Sequence, residues 1–165
     1  MKLVEYAGVL VSVDARLPNP LVAEAVEGGR LEPFEGCQSF EREVGLGESR
    51  IDFRLHMPER VVWVEAKSVT LVEDGVALFP DAPTIRGSRH VRALTDIVSE
   101  EREAAIVFVV QRQDARIFSP HSEADPVFAE GLRAAADAGV DLQAWTCRVS
   151  KQAIAIAERI PVDLA

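Results

Sequence analysis

A chain of 165 residues with 48% hydrophobic and 27% charged content has the makings of one folded domain and excludes a disordered one. Its net charge of −9 excludes binding of nucleic acid through a broad basic surface, so any phosphate backbone must be met by a local basic patch, by metal ions or by a part of the molecule outside this sequence. The Val-rich segment Val4 to Val13 reads as a strand. In "RLPNPLVAEAVEGGR" Asn19 is a candidate N-cap, Pro20 sits at the first helical position, and Gly28-Gly29 ends the helix. Leu21, Val22, Ala25 and Val26 form its apolar stripe, and Glu24 lies near its start.

Three strands follow, over Gln38–Leu46, Arg50–His56 and Arg60–Ser68, and "SVTLVEDGVALFP" reads as a small hairpin turning at Asp74-Gly75. After the loop "FPDAPTIRGSRH" a helix is expected from about Ser88 to Glu101, with Val91, Leu94, Ile97 and Val98 on one face. Ala104–Gln111 is apolar almost throughout, as befits a strand buried on both faces. Asp125–Ala138 reads as a helix stopped by Gly139, and "DLQAWTCRV" and "AIAIAERIPV" as closing strands. This order implies an α/β fold, a mixed sheet with flanking helices, in a single domain over 1–165.

No run approaches the roughly 18 apolar residues of a membrane span, and the first residues lack a secretory pattern, so the expected location is the cytoplasm. The two cysteines, Cys37 and Cys147, form no CxxC pair, which excludes a zinc ribbon and points to small buried hydrophobes. A Ser-His-Asp triad has no GxSxG sequence to support it.

Chemistry concentrates in "IDFRLHMPERVVWVEAK", residues 51 to 67. Side chains alternate across a strand, so Asp52 shares a face with Arg50 and Arg54, opposite Ile51, Phe53 and Leu55. Trp63, Glu65 and Lys67 likewise share a face. A turn centred between Pro58 and Glu59 places Asp52 opposite Glu65 and Arg50 opposite Lys67. Opposed side chains in an antiparallel pair have Cβ atoms about 5 Å apart. Two carboxylates at that distance repel unless a cation lies between them, and hard oxygen donors suit Mg²⁺ or Mn²⁺. The bland alternative is a solvated strand face, on which such charges are commonplace.

Arg86, Arg89, His90 and Arg92 cluster at the start of the second long helix, a natural place to hold phosphate. Asp81 either shapes its turn or approaches the site, and Glu43 reads as an outer-face charge. His56 and His121 are expected to be exposed. Trp63 either stacks a base or packs, and Trp145 is expected in the core.

Glu24, Asp52 and Glu65-Ala66-Lys67 follow the order of the PD-(D/E)xK nuclease motif, with Ile51 in place of its Pro. "SRIDFRL", "VEAKSVTL", "FPDAPTIRGSRHVRAL", "NPLVAEA" and "IPVDL" together resemble the sugar fermentation stimulation protein A family over nearly the whole chain. The resemblance implies a restriction-endonuclease-like fold. It implies metal ligands at Asp52 and Glu65, a catalytic lysine at Lys67 and a helical carboxylate at Glu24. The implied function is Mg²⁺-dependent phosphodiester hydrolysis of DNA; the alternative is a non-catalytic DNA-binding regulator of sugar (maltose) genes. The chain begins about where the family's nuclease-like domain begins, as either a shortened member or a fragment would, and without the family's N-terminal OB-like domain a weaker hold on DNA is expected.

Overall fold

In the computed structural model, which describes residues 1–99 and 101–165, the apolar run around Ile106 becomes a central strand of a six-stranded sheet. The elements in chain order are β1 (Leu3–Tyr6), β2 (Val9–Ser12), α1 (Pro18–Glu27), β3 (Ser39–Leu46), β4 (Ser49–His56), β5 (Val61–Val69), β6 (Leu71–Glu73) and β7 (Val76–Phe79). They continue with α2 (Ile85–Ile97), β8 (Arg102–Val110), β9 (Ile117–Pro120), α3 (Pro126–Ala138), β10 (Asp141–Val149) and β11 (Ile154–Ile160).

The large sheet runs β11-β10-β8-β5-β4-β3, with β5, β8 and β10 parallel and the outer strands antiparallel. Alternation along β8 divides its side chains between two cores. Ala105, Val107 and Val109 pack with Leu21, Val22, Ala25 and Val26 of α1. Ala104, Ile106, Phe108 and Val110 pack with Val91 and Leu94 of α2 and Phe128, Leu132 and Ala135 of α3. Every one of these β8 residues is buried, so the strand could not carry a polar face.

Several expectations shift. Val4 to Val13 is a hairpin, β1 and β2, because Ala7 and Gly8 take left-handed φ angles of 49° and 79° and turn the chain back. β9 is an additional strand, pairing in parallel with β7. Its four residues carry no periodic pattern of their own and are strand only because β7 lies beside them. In α1 the N-cap is Leu17, and Pro18 rather than Pro20 takes the first helical position, so Asn19 is not the cap. The second long helix begins at Ile85 behind Thr84, whose hydroxyl accepts from the Gly87 N–H at 3.0 Å. A Cβ on Gly87 would sit 2.8 Å from the Thr84 methyl, so this cap requires glycine there. The helix ends at Ile97 and Val98 is extended; Glu100, in the expected range, lies outside the described residues. Cys147 is buried as expected, whereas Cys37 is half-buried.

One buried carboxylate ties the two helices of the second core together. Asp125 Oδ1 caps α3 by accepting from the Phe128 N–H at 2.9 Å, and its Oδ2 accepts from the N–H of Thr84 at 2.8 Å. Asp125→Ala is therefore expected to cost about 2–3 kcal/mol, read as a lowered denaturation midpoint. A loss below about 0.5 kcal/mol would show that the two bonds do not hold the helix starts.

Candidate active site

The antiparallel pairing of β4 with β5 runs from His56↔Val61 to Phe53↔Val64 and stops there. The next positions in that register are Asp52 and Glu65, as the hairpin turn implied. Beyond them β5 stays paired to β8, but β4 has diverged. The N–H groups released by the divergence are met by the two carboxylates in a reciprocal pattern. The Asp52 N–H donates to Glu65 Oε2 at 3.2 Å, and the Ala66 N–H donates to Asp52 Oδ2 at 2.9 Å.

The divergence also breaks strand alternation. Ile51 packs in the core beneath α2 and α3, whereas Phe53 and Leu55 pack against the α1 side, so the three do not share a face as expected. On the other flank, β3 pairs with β4 at Arg42↔Phe53 and Val44↔Ile51 but not between them. There Glu43 takes a left-handed φ of 51° and is an exposed charge. The kink at Asp52 is what turns its carboxylate into the opening.

Around this opening lies a cleft of about 310 Å³, lined among others by Asn19, Asp52, Glu65, Lys67, Arg86 and His90. Asn19, at the start of α1, donates from Nδ2 to Asp52 Oδ1 at 2.8 Å. Lys67 Nζ lies 2.8 Å from Glu65 Oε1, and His90 Nδ1 lies 2.6 Å from the same oxygen. Glu65 and His90 side chains are only 5% and 6% exposed, and that of Lys67 12%. The cleft is therefore a buried electrostatic cluster rather than a solvated strand face.

The two carboxyls titrate in opposite directions. Burial and the neighbouring Glu65 charge push Asp52 up to about 6 from an ordinary 3.8. Burial also works against ionisation of Glu65, but the His90 hydrogen bond and the Lys67 ammonium outweigh it and hold that carboxyl below its usual range. A charge on Asp52 is thus disfavoured until something positive arrives. Two hard carboxylates, one of them kept reluctant to ionise by burial and by the other's charge, fit a divalent cation such as Mg²⁺ or Mn²⁺. Among the described residues no group of three or more His, Cys, Asp and Glu side chains is arranged to hold a metal ion. A cation here would draw on Asp52, Glu65 and water.

Other expected site residues fall elsewhere. Glu24 is 64% exposed and pairs with Arg30 at 3.5 Å, so the position on α1 that reaches Asp52 is Asn19 and not Glu24. Arg86 lines the cleft, but Arg89 faces the opposite flank of α2, beside the β3–β4 turn with Arg92. His90 is buried against Glu65 and presents no surface to a nucleic acid. Its place was legible in a helical pattern: Gly87, His90, Val91 and Leu94 fall at i, i+3, i+4 and i+7, and all four are buried. Trp63 is 5% exposed beneath the Arg54 guanidinium, so it cannot stack a base. Trp145 is in the core, donating to Gln143. Asp81 borders a separate hollow with Val13 and Phe79. His56 is half-buried and paired with Glu41, and His121 bonds the Pro80 carbonyl. No described helix is long and apolar enough to cross a membrane.

Residues 16–153 match the sugar fermentation stimulation protein RE domain. A sugar fermentation stimulation protein homolog of Desulforamulus reducens is 44% identical over 162 residues, covering 98% of this chain and 68% of that protein. The homolog of Moorella thermoacetica is 45% identical over 166 residues, with coverages of 98% and 70%. Among solved structures, that of Pyrococcus furiosus SfsA in complex with Ca²⁺ superimposes with a TM-score of 0.90 at 31% identity, over 96% of this chain and 69% of that one.

Proposed function

Given that the chain belongs to the sugar fermentation stimulation protein family, we propose that its cleft is the active site of a metal-dependent nuclease that hydrolyses DNA phosphodiester bonds. The observation that carries this reading is the set of buried contacts joining Asp52, Glu65 and Lys67 where β4 leaves β5. A strand that only needed stability would not bury two carboxylates side by side. The related archaeal protein was solved with Ca²⁺, an ion that takes the same oxygen donors as Mg²⁺.

Asp52 and Glu65 would hold Mg²⁺ or Mn²⁺, which when bound supplies positive charge and Lewis acidity at the attacked phosphate. Asn19 and the Ala66 N–H fix the Asp52 carboxylate in place. Lys67 orients the attacking water or offsets charge building on the phosphate oxygens. Arg86, at the rim by the first turn of α2, grips a flanking phosphate. Such local contacts suit a chain whose net charge of −9 would repel DNA elsewhere.

The test incubates the chain with single- and double-stranded DNA in Mg²⁺ or Mn²⁺, beside Asp52→Ala. Cleavage by the wild type that the variant lacks is the expected result. Equal inertness of both proteins, with DNA still bound, would replace the nuclease with a non-catalytic DNA-binding regulator.

A further inference from the structure

Glu65 Oε1 has two partners, and the strand supplies only one of them. Lys67 reaches it along β5, while His90 reaches it from α2. A carboxylate only accepts, so His90 carries its proton on Nδ1 and donates it. The ring is held by its place on the buried stripe of α2, between Gly87, Val91 and Leu94. The proposed chemistry makes no use of it.

The proposed chemistry does create a need for it. A cation held by Glu65 would repel the Lys67 ammonium, so that its three N–H donors turn to water or phosphate and away from Oε1. Without a second donor, Oε1 would then lose its only partner inside a buried site, and the carboxylate would be free to turn. His90 keeps Oε1, as the Asp52 N–H keeps Oε2. We propose that His90 is a positioning residue, anchoring the Glu65 carboxylate to α2 so that Lys67 can transfer from it to the reacting groups when the cation arrives. This rests on the reading of Asp52 and Glu65 as holding a divalent cation. Partners of this kind commonly set metal affinity by 10- to 100-fold.

The test is a calorimetric titration of Mn²⁺ into the full chain as wild type, His90→Leu and His90→Asn, with thermal melting to confirm folding. Leucine fills the buried stripe without a donor; asparagine places an amide N–H near the position of Nδ1. Expected is a loss of affinity of about 10-fold or more in His90→Leu, and a value within about threefold of wild type in His90→Asn. Equal affinities in all three proteins would overturn the positioning role and leave the metal reading standing. So would a folded His90→Asn as weak as His90→Leu. Failure of every protein to bind Mn²⁺ would overturn both. Should His90→Leu not fold, proton NMR of the wild type decides: the His90 Nδ1 proton stays hydrogen-bonded when Mg²⁺ is added, and its loss to exchange overturns the proposal.

Discussion

Lys67→Met is expected to slow metal-dependent DNA cleavage by about 10²- to 10³-fold, the usual range for removing one group that stabilises charge developing at the reacting centre. Mn²⁺ binding should survive in the same protein and be at least as tight as in the wild type. The reason lies in the geometry of Glu65. In the wild type the Lys67 ammonium sits 2.8 Å from Oε1, where it competes with any cation for that carboxylate. Methionine keeps most of the buried stem and removes the competitor. The two readouts therefore move in opposite directions, which general unfolding cannot produce. If cleavage and Mn²⁺ affinity fell together, Lys67 would be a structural partner of Glu65 and not a catalytic residue.

Asp52→Asn carries the second large effect, and it is one of stability. The Asp52 carboxyl is pushed up to about 6 in the folded protein against 3.8 ordinarily, because burial and the Glu65 charge both penalise the ion. The folded state thus holds this proton more tightly than the unfolded one, and raising the pH from about 4 through about 6 removes stability. Asparagine never ionises. It still accepts from the Ala66 N–H, and a flip of the Asn19 amide lets Asn19 accept in place of donating. In the absence of metal, the variant should exceed the wild type by about 3 kcal/mol at pH 7–8, roughly 6–12 °C in Tm, with the gap closing below pH 4. Millimolar Mn²⁺ should raise the wild-type Tm by mass action and leave the variant unmoved. A wild type more stable than Asp52→Asn at pH 8 without metal would contradict the raised carboxyl. With the variant more stable as expected, the site is an example of function held at the expense of stability.

The parts of the fold that were legible are those whose signals are local. The apolar run at Ala104–Gln111 predicts a doubly buried strand, and β8 is one. Asp125-Pro126 and Gly139 mark the ends of α3, and Gly139 takes the left-handed φ of 103° that such a stop requires. Asp74-Gly75, at φ of 50° and 80°, turns the β6–β7 hairpin as its residues imply. β9 was not legible, since its partner β7 lies far back in the chain. The helix start expected at Asn19-Pro20 lies instead at Pro18 for a related reason. Two prolines two residues apart offer the same local signal, and the choice of Pro18 leaves the Asn19 amide free to meet Asp52, 33 residues away.

The α/β class, the hairpin register that sets Asp52 against Glu65, and Lys67 on the face of Glu65 all follow from local pattern, because period-2 alternation and a short turn leave little choice. Which residues join them depends on long-range packing. Glu24 and Asn19 are both polar positions on α1, but only the one at the start of the helix reaches the opening, and Glu24 turns to Arg30. Among Arg86, Arg89 and His90, the packing of α2 over the sheet buries His90 on Glu65, leaves Arg86 at the rim and carries Arg89 to the far flank. Periodicity assigns a residue to a face of its own element. What that face meets depends on where β4 parts from β5 and on how two helices from distant stretches of chain close over the gap.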